Sequence, residues 1–401
     1  MTIKDIEAAA SRLQGVIHPT AVSSSRTFSE MAGASIYLKC ENLQKTGSFK
    51  VRGAYNKIAK LRDQGGVTAV VASSAGNHAQ GVAYSATQLG MESTIVMPRS
   101  TPIAKVAATE GYGAKVLLYG SCYDDAYHKA MEIQKEAGAV FVHPFDDEDV
   151  IAGQGTIALE IFHDLPTVDT VLIPAGGGGL LAGMAFYIKQ INPRVRVVGV
   201  QAQGADPIAQ SFHGETYLST VHAATIADGI AVKTPGITTV EMIREYVDDM
   251  VTVSDNEIAE AILLLLERTK MVVEPAGAAA LAAAINKKAG LDGQKTLCVL
   301  SGGNVDVSFI HKIVEKGLVA RGRQMKMRTV MPDVPGSLQR FSAVVAGCGA
   351  NIIQVQYDRL STGLSLDEVI LHTVSEVSGP AHAGQLVKEL EEAGYRVSLE
   401  S

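Results

Sequence analysis

Lys50 stands in the first turn of an amphipathic helix, inside Lys45-Thr46-Gly47-Ser48-Phe49-Lys50-Val51-Arg52-Gly53-Ala54. Val51, Ala54, Tyr55, Ile58 and Leu61 form its apolar stripe, and Ser48 is placed to cap it. A helix N-terminus carries partial positive charge, so an ammonium there is disfavoured and its pKa is pushed down. An amine with a lowered pKa is what Schiff-base chemistry with a carbonyl needs.

Three further segments carry groups such a lysine could use. Ser73-Ser74-Ala75-Gly76-Asn77-His78-Ala79-Gln80-Gly81 follows an apolar run and opens a helix. Its small residues expose backbone N–H groups suited to a carboxylate or phosphate, and Asn77 adds an amide that donates and accepts. In Pro174-Ala175-Gly176-Gly177-Gly178-Gly179-Leu180, four glycines join two apolar elements. Each costs up to about 1 kcal/mol of backbone entropy, which a cradle of N–H groups around a phosphate would justify. Ser301-Gly302-Gly303-Asn304 puts a hydroxyl at a strand end, within reach of a planar heterocycle. Glu274-Pro275-Ala276-Gly277-Ala278 opens another helix, where Glu274 either lines the site or serves the helix dipole.

The sequence Gly177-x-Gly179-x-x-Ala182 formally fits a dinucleotide fingerprint, which also needs an acidic residue about 20 positions on to hold a ribose. Gln201 and Gln203 stand there instead, and no G-x-x-x-x-G-K-[ST] occurs, so NAD and nucleoside triphosphates are disfavoured. An activated lysine, a phosphate cradle, a hydroxyl for a ring nitrogen and a second anion loop together match the requirements of pyridoxal phosphate.

These turns need strands and helices to hold them. Val67–Ala72, Ser93–Met97, Ala114–Leu118, Ala139–Val142, Thr170–Ile173, Val195–Val200 and Thr296–Leu300 read as strands. Ala79–Leu89, Ile103–Glu110, Leu180–Ile191 and Asn256–Lys270 read as helices between them. The alternation implies an α/β body of two parallel sheets, with ligands outside the carboxyl ends of the strands. Near residue 320 the texture becomes polar and basic, and residues 321–327 read as a linker. Beyond it, strands at Arg328–Met331, Ile352–Tyr357, Glu368–Val374 and Val397–Leu399 and helices at Ser337–Val345 and Ala381–Ala393 give a βαββαβ, ferredoxin-like unit.

Composition narrows the class further. The 401 residues are 47% hydrophobic and 5% aromatic, with no tryptophan, the profile of a parallel α/β enzyme. A net charge of −7 without a Lys/Arg block argues against nucleic acid as partner. Cys40, Cys122, Cys298 and Cys348 are far apart and read as reduced thiols of a cytoplasmic protein. Thr2-Ile3-Lys4-Asp5 reads as a helix start rather than a leader, and no apolar run is long enough for a membrane span.

The chain resembles the threonine dehydratases (threonine ammonia-lyases), fold-type II pyridoxal-phosphate enzymes with a tryptophan synthase β-like body. KTGSFKVRGA (45–54), SSAGNHAQG (73–81), PAGGGGL (174–180), ADGIAV (227–232), EPAGA (274–278) and SGGN (301–304) carry the resemblance, in order. It implies a catalytic domain over residues 1–320, with a small subdomain at about 48–150. Lys50 would be the Schiff-base lysine and then the base for the α-proton, with Phe49 beside it. Asn77 would partner the cofactor's 3-hydroxyl. Gly176, Gly177, Gly178, Gly179 and the Leu180 N–H would hold its phosphate, and Ser301 its ring nitrogen. Ser74, Ala75, Gly76, Asn77 and His78 would grip the substrate carboxylate. The implied reaction is β-elimination from L-threonine, and from L-serine, to a 2-oxo acid and ammonia. The resemblance implies that this is the first step of isoleucine biosynthesis.

Residues 328–401 resemble a single ACT regulatory domain, with Asp333, Pro335, Gly336 and Leu338 where such domains bind an amino-acid effector. Isoleucine as inhibitor, valine as antagonist and a homodimer or homotetramer are the family expectations. Two rivals remain. Serine racemases place a serine where this chain has Ala75, and acidic metal ligands where it has Gln201 and Pro207, so no metal is expected. A non-catalytic amino-acid sensor would have lost the lysine or the glycine loop, and this chain keeps both.

Overall fold

A computed structural model describes residues 1–214, 216–361 and 364–400, in two compact units, 1–305 and 306–401. In the first unit the strands are β1 (Val22–Ser24), β2 (Ser35–Lys39), β3 (Ala69–Ser73), β4 (Glu92–Met97), β5 (Lys115–Leu118), β6 (Val140–Phe141), β7 (Thr170–Pro174), β8 (Arg196–Ala202), β9 (Asp249–Val253) and β10 (Lys295–Val299). They form two sheets. One runs β1-β2-β10-β7-β8-β9, parallel except for β1; the other runs β5-β4-β3-β6, parallel throughout. Each expected strand is present within a few residues. β1, β2 and β9 join them as strands the apolar pattern does not reveal.

Strand β7 is buried along its whole length because helices cover both faces of its sheet. Ile173, Leu181, Met184 and Ile188 pack in one core, and Ile58, Val82 and Ile95 in another under the smaller sheet. The helix Lys50–Gln64 is pressed between neighbours. A Cβ on Gly153 would come within 2.6 Å of the Arg52 carbonyl oxygen, and one on Gly81 within 3.1 Å of the Lys50 carbonyl carbon. Glycine at both positions lets backbone approach backbone and fixes where the helix begins.

Two expectations for the first unit need correction. Ser48 does not cap that helix; Phe49 holds the N-cap position and the cap is not made by a side chain. Ser48 pairs with Gly302 in an isolated antiparallel bridge, and Phe49 N–H donates to Ser301 O at 3.1 Å. A tertiary backbone contact has replaced the local cap. Further along the chain, the helix expected at Asn256–Lys270 is α-helical over Asp255–Leu264, then widens into a π turn at Leu265–Thr269 that Lys270 ends at φ 61°.

The second unit contains the helix Val307–Ala320, β11 (Gln324–Pro332), the helix Ser337–Gly347, β12 (Asn351–Asp358), β13 (Glu368–Glu376), the helix Pro380–Glu392 and β14 (Arg396–Glu400). The sheet order β12-β13-β11-β14, antiparallel throughout, gives the ferredoxin-like arrangement. Residues 321–327, expected as a linker, instead lead into β11: Met325 and Met327 are buried with Phe341, Leu371 and Leu390. Their alternation with Gln324, Lys326 and Arg328 is a strand period that the charges obscure.

Candidate active site

The carboxyl ends of β3, β7 and β10 carry the turns singled out in the sequence. Lys50 is the first residue of its helix, and its Nζ donates to Pro144 O at 2.8 Å and lies 5.2 Å from the centre of the Phe49 ring. Burial lowers its pKa to about 8, while the nearby Glu274 carboxyl pulls the other way. The direction agrees with the sequence argument, but desolvation is the main cause.

Phe145, the next residue after Pro144, builds the glycine cradle. A Cβ on Gly177 would enter the Phe145 ring, and one on Gly179 would lie 2.7 Å from Phe145 O. Gly178 has φ 96°, and a Cβ there would meet Thr239 at 2.8 Å. Thr239 Oγ1 in turn donates to Gly177 O at 2.7 Å. Because Gly178 is the N-cap of the helix Gly179–Ile191, a side chain does not occupy the first-turn N–H groups. Leu180, in that first turn, is buried. The cradle therefore fits a phosphate, through backbone donors at a helix N-terminus.

Asn77 begins the helix Asn77–Gln88 after β3. Its Nδ2 donates to Glu274 Oε1 at 2.7 Å, and its Oδ1 accepts from Asn304 Nδ2 at 2.8 Å. Burial raises the Glu274 pKa to about 8, reinforced by Asp228. Ser74 Oγ accepts from Gly76 N–H at 3.2 Å, and Ala75 and Gly76 complete a loop where a Cβ on Gly76 would meet nothing within 4 Å. His78 turns inward: its Nε2 bonds Val142 O at 2.9 Å, and burial followed by repulsion from Lys50 lowers its pKa to about 3. It is a neutral tether of the loop. Ser301 is buried and, through its carbonyl, adjoins Phe49.

The structure thus gathers Phe49, Lys50, Asn77, the glycine loop and Ser301 around Pro144 and Glu274. Pro144, Phe145 and Asn304 were not singled out by residue. The 142–147 turn follows β6, which lies within the strand expected at Ala139–Val142, and strand-to-helix turns are where such residues belong. His143 Nδ1 shapes that turn by accepting from Asp146 N–H at 2.8 Å. Gln201 is buried with both amide ends engaged, Nε2 to Ala175 O and Oε1 from Ala209 N–H.

A family profile described as "Pyridoxal-phosphate dependent enzyme" matches residues 13–302. The chain belongs to that family. It is 47% identical to an L-threonine ammonia-lyase of Thermotoga maritima, with 100% of this chain and 99% of that one covered. The processed form of threonine deaminase isoform 2 from Solanum lycopersicum superposes with a TM-score of 0.75 at 36% identity, covering 78% of this chain and 86% of that one. A maize serine racemase gives 0.74 at 36% identity, covering 79% and 98%. The cofactor is pyridoxal phosphate, and the protein is a pyridoxal-phosphate-dependent ammonia-lyase.

The expected effector residues lie in the second unit. Asp333 accepts from Arg359 Nε at 2.7 Å and from Nη2 at 3.1 Å. Gly336, at φ 86°, is the N-cap of the helix Ser337–Gly347, between the exposed Pro335 and Leu338. Among the described residues no helix is long and apolar enough to cross a membrane.

Proposed function

We propose that the chain converts L-threonine to 2-oxobutanoate and ammonia by β-elimination, and L-serine to pyruvate by the same route. The observation that carries this is a lysine amine of pKa about 8 joined through Pro144 and Phe145 to a glycine cradle. At pH 7 about a tenth of Lys50 is the free amine, against roughly 1 in 3,000 for an unperturbed lysine.

When bound, pyridoxal phosphate supplies an electrophilic carbon and an electron-withdrawing ring. Gly176 to Leu180 would hold its phosphate, Ser301 its ring nitrogen through a neutral hydroxyl, and Asn77 its phenolic oxygen. Lys50 Nζ would hold the cofactor and, as a free amine, would take the α-proton. N–H groups at the start of the helix Asn77–Gln88, with Ser74, Ala75, Gly76 and His78, orient the substrate carboxylate. The β-hydroxyl leaves as water, and one water returns when ammonia departs, so the net reaction is balanced without an oxidant.

The second unit would be an ACT domain that binds isoleucine as inhibitor, opposed by valine, at Asp333, Pro335, Gly336 and Leu338. Its βαββαβ order supports that reading. Such control fits a cytoplasmic homo-oligomer at the first step of isoleucine synthesis. Steady-state ammonia release from threonine and serine, with and without isoleucine, tests both parts. No release from either substrate overturns the activity, and an isoleucine-independent rate overturns the regulation.

A further inference from the structure

Asn304 is placed to decide which way the Asn77 amide faces. The chain of donors starts from a group with one possible role. Thr46 O is a backbone carbonyl and can only accept, so the atom of Asn304 that lies 2.7 Å from it must be the amide nitrogen. That same Nδ2 lies 2.8 Å from Asn77, which must therefore present its oxygen. The Asn77 nitrogen is then left at the opposite end, where it donates to Glu274 Oε1 at 2.7 Å. One of its two N–H groups is used there, and the other remains for a cofactor oxygen.

The scaffold around this relay leaves Asn304 no freedom. Gly47, at φ 73°, lies so close that a Cβ there would come within 2.8 Å of Asn304 Cγ. Gly303 N–H donates to Gly47 O at 2.8 Å, and Ser48 bridges Gly302. The Thr46–Phe49 and Ser301–Asn304 turns are thus stitched together on the Lys50 side. Gly302 also clears space for the next link, because a Cβ there would crowd Glu274 Oε1 and lie 3.2 Å from Asn77 Nδ2. Glycine at 47 and 302 serves this polar chain as well as the backbone.

We propose that Asn304 is a positioning residue: it touches neither substrate nor cofactor, and it locks Asn77 with its N–H groups toward Glu274 and the cofactor's phenolic oxygen. The proposal rests on the assignment of Asn77 as cofactor partner. Asn304→Asp keeps the shape but replaces the donor by a carboxylate. The Asn77 amide then turns over to donate to it, and its oxygen faces the cofactor oxygen.

The test is cofactor binding and absorbance in the full-length protein. Pyridoxal phosphate is titrated into apoenzyme of the wild type, Asn304→Asp, Asn77→Ala and the double variant. Asn304→Asp is expected to weaken cofactor binding at least ten-fold and to change the ratio of the cofactor's near-ultraviolet and visible bands. In the Asn77→Ala background it should add no further change to either reading. Wild-type affinity and band ratio in Asn304→Asp overturn the proposal, as do effects that simply add to those of Asn77→Ala. If Asn77→Ala alone leaves affinity and spectrum unchanged, the Asn77 assignment itself fails. Should Asn304→Asp not fold, Asn304→Ala is read the same way, with a smaller band change expected because the amide is freed rather than reversed.

Discussion

Arg52 grips Glu41 through two parallel hydrogen bonds of 2.8 Å, Nε to Oε2 and Nη2 to Oε1, with neither side chain exposed. Glu160 closes the other side of the guanidinium and also accepts from Lys39 Nζ, so two cations and two anions neutralise one another. Arg52 lies two residues past Lys50, and this cluster anchors the turn that aims the lysine. Removing one charge strands the others in a low dielectric, a loss of about 3–5 kcal/mol.

Glu41→Gln is accordingly expected to lower the Tm by several degrees at neutral pH, with most of the effect in stability rather than in KM. Burial pushes the Glu41 carboxyl up, but Arg52, Lys39 and Thr20 outweigh it and hold its pKa below the usual value. The pair's contribution is therefore full above the unfolded carboxylate pKa of about 4.3 and is lost as pH falls through the lower folded value. The Tm difference between wild type and variant should shrink on acidification. A difference independent of pH would contradict the ionised pair.

Lys50→Ala should abolish the absorbance of lysine-bound cofactor and reduce ammonia release by about 10³-fold or more. In apoenzyme, reductive trapping of Lys50 by a small aldehyde, mapped by peptide mass, should reach half its maximal rate near pH 8. Surface lysines should titrate near their usual value of about 10.4. Between those two values the unfolded chain holds a proton that folded apoenzyme has lost, so this group's unfavourable contribution fades as pH rises through the window. A trapping midpoint above 10 would remove the desolvated-amine argument.

Lys50 was legible because two local signals coincide there, a helical stripe and a charge at its unfavourable end. The glycine loop was legible because its oddity is contiguous. Ser48 reads as a cap in the sequence because its partner, Gly302, is brought to it only by β10 pairing beside β2. Pro144, Phe145 and Asn304 work through tertiary neighbours, so no window of sequence holds both halves of their contacts. β9 was missed because Asp249–Val253 is a short run holding only two buried residues, at the edge of its sheet. Met325 and Met327 were hidden by the charges that alternate with them.

Gly177→Ala tests the cradle against its wall. The added methyl enters the Phe145 ring, and such overpacking destabilises by about 1–3 kcal/mol and shifts the loop. Cofactor affinity measured by fluorescence titration of apoenzyme should fall more than Tm does. Adding Phe145→Leu, which withdraws the ring, should recover part of the affinity. No recovery would mean that the alanine acts through the backbone conformation and not through Phe145.

In the second unit, Arg359 holds Asp333 from two nitrogens and keeps its carboxyl ionised well below the usual range. The pair is solvent-exposed and contributes little to folding, so Asp333 can be replaced without melting the unit. An effector ammonium would have to compete with Arg359 for this carboxylate. Asp333→Asn is therefore expected to raise the isoleucine concentration for half-inhibition at least ten-fold, with threonine kcat and KM in the absence of isoleucine unchanged. Arg359→Ala should act in the opposite direction, because the competing cation is gone. Paired inhibition curves decide the matter: if both variants respond to isoleucine as the wild type does, the effector does not bind at Asp333.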